Sequence, residues 1–272
     1  MKALVLHATG INRDLDAKIA LEMAGLDADI VHINELKAKE KSLKDYCLLV
    51  IPGGFSYADS LGAGTLFAFE LLHYLFDELN EFVYKRKPII GICNGFQVLI
   101  KSGILPGNAD GKISQNSYQN RLVTLTKNKM ERFECRDVLL QCEDSKCIWT
   151  CGITKPFLCP VAHGEGRFCS SSKQVLDNLA LNEQVVLKYA TKKADKGDCD
   201  AVFKENVEYP DNPNASSLNI AGICDSTGLI LGLMPHTENN IIKRKVDTKA
   251  RQLSCDSCLA IWKNGVNYAK NS

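Results

Sequence analysis

The chain has 272 residues, 45% of them hydrophobic, and its 33 Lys and Arg nearly cancel 32 Asp and Glu. That length supports one large core, or a core with an insertion, and the balanced charge offers neither a basic field for nucleic acid nor an acidic tail. No apolar stretch approaches the roughly 18–20 residues of a membrane span, and the apolar start is too short for a secretory leader, with Asn12, Arg13, Asp14 and Asp16 following at once; a cytoplasmic chain is expected.

Ala3–His7 reads as a buried strand ending in the turn Ala8-Thr9-Gly10. Leu15–Ala24 has helical periodicity and stops at Gly25. Asp29–Ile33 is a second strand, and Cys47–Ile51 a third that ends abruptly at Pro52-Gly53-Gly54. Thr65–Lys85 reads as one long helix, Pro88–Cys93 as a fourth strand, and Asn94–Ser102 as a helix capped by Gly103. Strands bare of polar residues, separated by helices, imply a parallel sheet covered on both faces. Ligands in such sheets sit at the carboxyl ends of the strands.

From about Gly107 to Ala215 the pattern changes to shorter strands with polar connections: Arg121–Thr126, Val138–Gln141, Cys147–Thr150 and Val185–Tyr189, with a helix over Ser170–Leu181. Leu218–Cys224 and Leu229–Leu233 form a hairpin across Asp225-Ser226-Thr227-Gly228, and Asp247–Trp262 is a final helix. The expectation is one α/β domain over residues 1–272, with an antiparallel-rich extension at about 107–215.

Twelve cysteines without a secretion signal read as free thiols. Cys255 and Cys258 form a lone C-x-x-C with no following His, so no metal site is expected. The segment Gly107–Lys112 approaches a phosphate-binding loop but has one residue too few between its glycines, and Ile113 stands where Ser or Thr would hold magnesium.

Chemistry concentrates at Gly91-Ile92-Cys93-Asn94-Gly95, which follows a buried strand and opens a helix. This is the thiol form of the nucleophile elbow. The turn lifts the sulfur above the sheet edge, and the helix N-terminus favours thiolate. A cysteine at a strand end is ordinarily a core thiol; glycines on both sides at a strand–helix junction favour the nucleophile. Oxyanion donors are expected from the backbone of Asn94 and of the Pro52-Gly53-Gly54-Phe55 turn, where glycine permits close approach. The thiol needs a general base. His32 and His73 lie within a strand and a helix, and His7 ends the first strand. His163 lies in the loop-like Pro160–Phe168 run, whereas His236 follows an apolar strand directly, with Glu238 two residues on. On an extended backbone residues i and i+2 face the same way, so Glu238 would orient the His236 imidazole and stabilise its cation; His236 is preferred to His163.

At these residues the chain resembles the class I glutamine amidotransferases: Gly91–Gln97 (GICNGFQ), Pro52–Tyr57 (PGGFSY) and the His236/Glu238 pair. Further matches at 132–137 (RFECRD), 162–168 (AHGEGRF), 212–216 (NPNAS) and 220–238 resemble the glutaminase subunits of phosphoribosylformylglycinamidine synthase in particular. The resemblance implies a Rossmann-like, flavodoxin-like parallel sheet and hydrolysis of L-glutamine by Cys93, His236 and Glu238. It also implies a glutamine site that includes Gly54, Phe55 and Gln97, with AHGEGRF lining the site or a partner face. Ammonia would pass to a separate synthetase subunit that holds ATP and magnesium, with a small third subunit bridging the two and no cofactor on this chain. Two positions depart from the family: Thr237 stands where proline is usual, and Ala215 where glycine is usual. The last 30 or so residues carry no recognised motif. The alternatives are a class I glutaminase serving another acceptor, and a Cys hydrolase on the same fold, which often lacks the His-x-Glu pair.

Overall fold

The structure, a computed structural model, describes residues 1–107, 113, 119, 121–192, 201–202 and 206–272. In chain order its elements are β1 (Ala3–His7), α1 (Asp14–Met23), β2 (Ala28–His32), α2 (Ile33–Lys37), β3 (Leu48–Ile51), α3 (Thr65–Tyr74), α4 (Phe76–Tyr84), β4 (Ile89–Ile92) and α5 (Asn94–Lys101). They are followed by β5 (Val123–Thr126), β6 (Glu134–Cys142), β7 (Phe157–His163), β8 (Arg167–Ser170), α6 (Lys173–Leu181), β9 (Val185–Lys192), β10 (Ala201–Val202), β11 (Ile220–Cys224), β12 (Ile230–Leu233) and α7 (Lys249–Asn271).

One sheet runs β2-β1-β3-β4-β12-β11-β9-β6-β7, with β10 on β9; β5 and β8 form a separate pair. The first five strands in that order are mutually parallel and the remaining neighbours antiparallel. The parallel order is that of a flavodoxin-like sheet. Its middle strands are buried on both faces, which is why β3 (LLVI) and β4 (IIGI) are unbroken apolar runs. Antiparallel β11 places β12 beside β4, so Cys93 and His236 leave adjacent parallel strands at the same end of the sheet.

Several expected elements differ. The helix expected over Thr65–Lys85 is two helices, because Leu75 leaves helical geometry (φ −120°, ψ 12°). Neither glycine nor proline marks that break, so periodicity reads through it. The second strand ends at His32, which instead caps α2: its ring accepts the Asn34 N–H and its own N–H donates to Glu35. Residues 148–150 form a 3-10 turn, not a strand, and bury Trp149 with its Nε1 donating to the Leu229 carbonyl at 2.9 Å. The Val138–Gln141 strand extends over all of β6, and Pro160–Phe168 is the end of β7, a short turn and the start of β8, the first strand pairing with β6 and the second with β5. The last helix runs nine residues further than Trp262, to Asn271. A Cβ on Gly265 in that helix would lie 2.1 Å from the Trp149 ring, so glycine is what allows the two to pack. The near-miss to a phosphate loop at 108–112 lies outside the described residues. Among the described residues no helix is long and apolar enough to cross a membrane.

Candidate active site

β4 runs straight into α5 through Cys93, whose backbone is left-handed (φ 51°, ψ −104°), a strained conformation for a residue with a side chain. The flanking glycines are a steric requirement. A Cβ on Gly95 would sit 1.8 Å from the Ile51 carbonyl oxygen, and one on Gly91 would sit 2.7 Å from the Gly95 carbonyl oxygen. Cys93 is 5% exposed, with its sulfur 3.6 Å from the Ala162 carbonyl at the end of β7.

His236 lies at the end of β12, where its N–H donates to the Pro160 carbonyl at 2.8 Å. Nδ1 of its ring is 2.6 Å from Glu238 Oε1, and both side chains are buried. The geometry differs from the expected extended strand, since Thr237–Asn240 is a 3-10 turn that folds Glu238 back onto the ring. His236 Nε2 and Glu238 Oε2 are buried without hydrogen-bond partners. Burial disfavours the imidazolium, but the charges of Glu238 and of an ionised Cys93 outweigh it and push the His236 pKa up to about 10.

The Pro52-Gly53-Gly54-Phe55 turn follows β3 beside the elbow. A Cβ on Gly53 would lie 2.7 Å from the His236 ring, so this glycine makes room for the imidazole. Gly54 (φ 146°) bridges to Ile11 through Asn12 N–H to Gly53 O and Phe55 N–H to Gly10 O, which leaves the Gly54 N–H outside that pairing. Gly54, Phe55, Cys93 and Gln97 line one cavity of about 330 Å³ together with Asp59 and the turn after β7. Asn94 is fully buried; its side chain donates to Gln97 Oε1 at 2.9 Å and accepts the Ser56 N–H. Gln97 in turn donates to the Glu165 carbonyl at 2.7 Å, so it holds the cavity wall as well as lining it.

The structure thus brings Cys93, His236, Glu238, Gly53, Gly54, Phe55, Asn94 and Gln97 into one place. His163 lies there too, but in a different state. Its Nδ1 bonds Asn128 Oδ1 at 3.0 Å, and burial, followed by the charge of His236, pushes its pKa down to about 3. It is a neutral, fully engaged ring. His7 is paired with Asp14 at 2.8 Å, and His73 is exposed on α3.

Sequence reasoning missed Asn128, which also accepts the Gly166 N–H and donates to the carbonyls of Arg132 and His163, pinning the turn that faces Cys93. It lies 35 residues from His163, and no local pattern marks it. The buried Asn214 in NPNAS supports the same turn, donating to the Gly166 carbonyl at 2.8 Å. Ala215 beside it is left-handed (φ 61°), a conformation that glycine takes without strain. Cys255 and Cys258 are buried in α7, and among the described residues no group of three or more His, Cys, Asp or Glu could hold a metal ion.

Comparison with known proteins shows the family. The family described as "CobB/CobQ-like glutamine amidotransferase domain" matches residues 1–269. A phosphoribosylformylglycinamidine synthase subunit PurQ of Treponema denticola is 56% identical over 270 residues, covering 98% of each chain. A subunit of the same name from Methanococcus maripaludis is 39% identical over 279 residues, again covering 98% of each. Among solved structures, PurLQS from Thermotoga maritima aligns with a TM-score of 0.70 at 28% identity, covering 98% of both chains. The chain belongs to the class I glutamine amidotransferases, within the family of phosphoribosylformylglycinamidine synthase PurQ subunits.

Proposed function

We propose that Cys93, His236 and Glu238 hydrolyse L-glutamine and that the ammonia is used by a separate synthetase to convert formylglycinamide ribonucleotide to its amidine. The observation that carries this reading is the left-handed Cys93 elbow beside the buried His236–Glu238 pair at 2.6 Å. The Cys93 thiolate attacks the side-chain amide carbon of glutamine, and the oxyanion that forms takes hydrogen bonds from the Asn94 and Gly54 N–H groups. Protonated His236 gives its proton to the departing nitrogen, so ammonia leaves and a glutamyl thioester remains. Neutral His236 then accepts a proton from water as the water attacks the thioester, glutamate departs, and the thiolate–imidazolium pair is restored. Glu238 stays ionised throughout and holds the ring.

The Thermotoga assembly named PurLQS supports a synthetase partner and a small third subunit. ATP and magnesium belong on the synthetase, where phosphoryl transfer activates the acceptor amide. The proposed compartment is the cytoplasm, in keeping with the free thiols of the described cysteines. The test is transfer of heavy nitrogen. Glutamine labelled in its side-chain amide, given to the chain with synthetase, bridging subunit, ATP, magnesium and formylglycinamide ribonucleotide, should deliver the label to the amidine. Label in free ammonia but not in the amidine, with excess synthetase present, would point to another acceptor.

A further inference from the structure

We propose that Asp59 is the residue that selects glutamine by its α-ammonium group, an inference that rests on the glutaminase reading above. With its side-chain amide at Cys93, a glutamine molecule leaves a zwitterionic head in the same cavity, and its ammonium needs an anionic acceptor. Three carboxyls line that cavity: Asp59, Glu131 and Glu165. Glu165 is partly committed, because its Oε2 accepts the Ala63 N–H at 3.2 Å. Glu131 is exposed. Asp59 alone of the three has a carboxylate oxygen that is buried and without a partner, and a buried unpaired acceptor is costly unless a ligand fills it. Burial, together with the charge of Glu165, pushes its pKa up to about 6. A cation between the two carboxyls would relieve both effects.

Its backbone points the same way. Tyr57, Ala58 and Asp59 are three consecutive left-handed residues, none of them glycine (φ 53°, 54° and 54°). Such a turn persists only where its surroundings over-determine it. Here Tyr57 N–H donates to the Thr9 carbonyl at 2.8 Å, the Tyr57 hydroxyl donates to Glu70, and Ser56 N–H donates to Asn94, the residue after the nucleophile. The anchors at Thr9, Glu70 and Asn94 bring the Asp59 carboxyl to the cavity wall while leaving its Oδ1 free.

The test uses the complete synthetase assembly, native and with Asp59→Asn, a substitution that keeps the side-chain shape and tolerates left-handed backbone. Glutamine is compared with glutaramate, the same molecule without its amine, read as a KM or as a KI against glutamine. Loss of one charge-assisted hydrogen bond should raise the KM for glutamine roughly 10- to 100-fold. It should leave kcat within about threefold, as for an interaction made equally in ground and transition states. The constant for glutaramate should be the same in both proteins. An unchanged KM for glutamine would overturn the proposal. So would equal losses for glutamine and glutaramate, which would make Asp59 only a prop for the turn. A native assembly that does not hydrolyse glutamine at all would overturn the glutaminase reading itself.

Discussion

His236 Nδ1 and Glu238 Oε1 meet at 2.6 Å across a 3-10 turn, not along an extended strand, so the pair is set by the fold of a four-residue segment and is buried on all sides. On the proposed mechanism, replacing His236 by Ala would remove both thiol activation and protonation of the leaving group, and thioester formation should fall roughly a hundred- to ten-thousand-fold. Glu238→Gln should cost less, since it spoils ring orientation and cation stabilisation but leaves the proton carrier. Cys93→Ala should abolish hydrolysis with the fold intact, and a glutamine-analogue electrophile should label Cys93 and no other cysteine. Labelling mapped by peptide mass spectrometry, with glutamate release measured in parallel, checks the series; undiminished labelling of Cys93→Ala would contradict it.

His163 should behave oppositely to His236. Its folded pKa of about 3 lies below the ordinary value of about 6.5, so between those limits the unfolded chain holds the extra proton. Stability should therefore fall as pH drops from 6.5 towards 3, by up to about 1.4 kcal/mol per pH unit from this group. For His236 the raised pKa contributes stability that is complete below about 6.5 and is lost as pH rises towards 10. Denaturant unfolding of the native chain and of His163→Gln at pH 7 and pH 5 should show a shallower acid loss in the variant. Its glutaminase activity at pH 7 should also exceed that of His236→Ala; the reverse order would make His163 the base.

The elbow was legible in the sequence because its requirements are local. Gly91 and Gly95 stand two residues either side of Cys93, and each is forced by a backbone contact under 3 Å. The same holds for the β12 exit at His236. What was not legible is long-range: Asn128 and Asn214 hold the His163–Gly166 turn from 35 and 51 residues away, and the residues involved look like ordinary loop polars. The left-handed run at Tyr57–Asp59 escaped because no glycine announces it, and the helix break at Leu75 for the same reason.

The two family departures carry a stability cost that can be measured. Thr237 is fully buried with its hydroxyl unpartnered, at the first position of a 3-10 turn, where proline's fixed φ is suited. Thr237→Pro should stabilise the chain by roughly 1 kcal/mol through loss of that hydroxyl and of unfolded-state entropy. Ala215→Gly should add about 1 kcal/mol by relieving left-handed backbone. Chemical denaturation should find the two gains additive, since the positions share no partner. A loss of stability at Thr237→Pro would mean that the turn needs an angle proline cannot take.

The last prediction is that this chain works at full rate only when docked. The proposed division of labour puts the ATP-dependent half of the reaction on the synthetase, and the sequence has no G-x-x-x-x-G-K-[ST] loop of its own. Free ammonia is wasted if glutamine is hydrolysed without an acceptor, so the glutaminase should wait for its partner. The rim of the Cys93 cavity is built for cover. Phe55 and Phe133, which line it, have tilted rings 6.2 Å apart and are 44% and 50% exposed, and Leu61, two residues after Asp59, is 80% exposed beside a neighbouring pocket. A partner seated on that apolar rim would exclude water and fix the Tyr57–Asp59 turn. Steady-state glutamate release from the purified chain should be weak, and should rise by an order of magnitude or more with synthetase, bridging subunit and ATP. Phe133→Asp should blunt that rise while leaving the unfolding midpoint of the isolated chain unchanged, since the ring is half in solvent. Full turnover by the chain alone would remove the case for gating, and amidine formation by the chain alone would remove the division of labour.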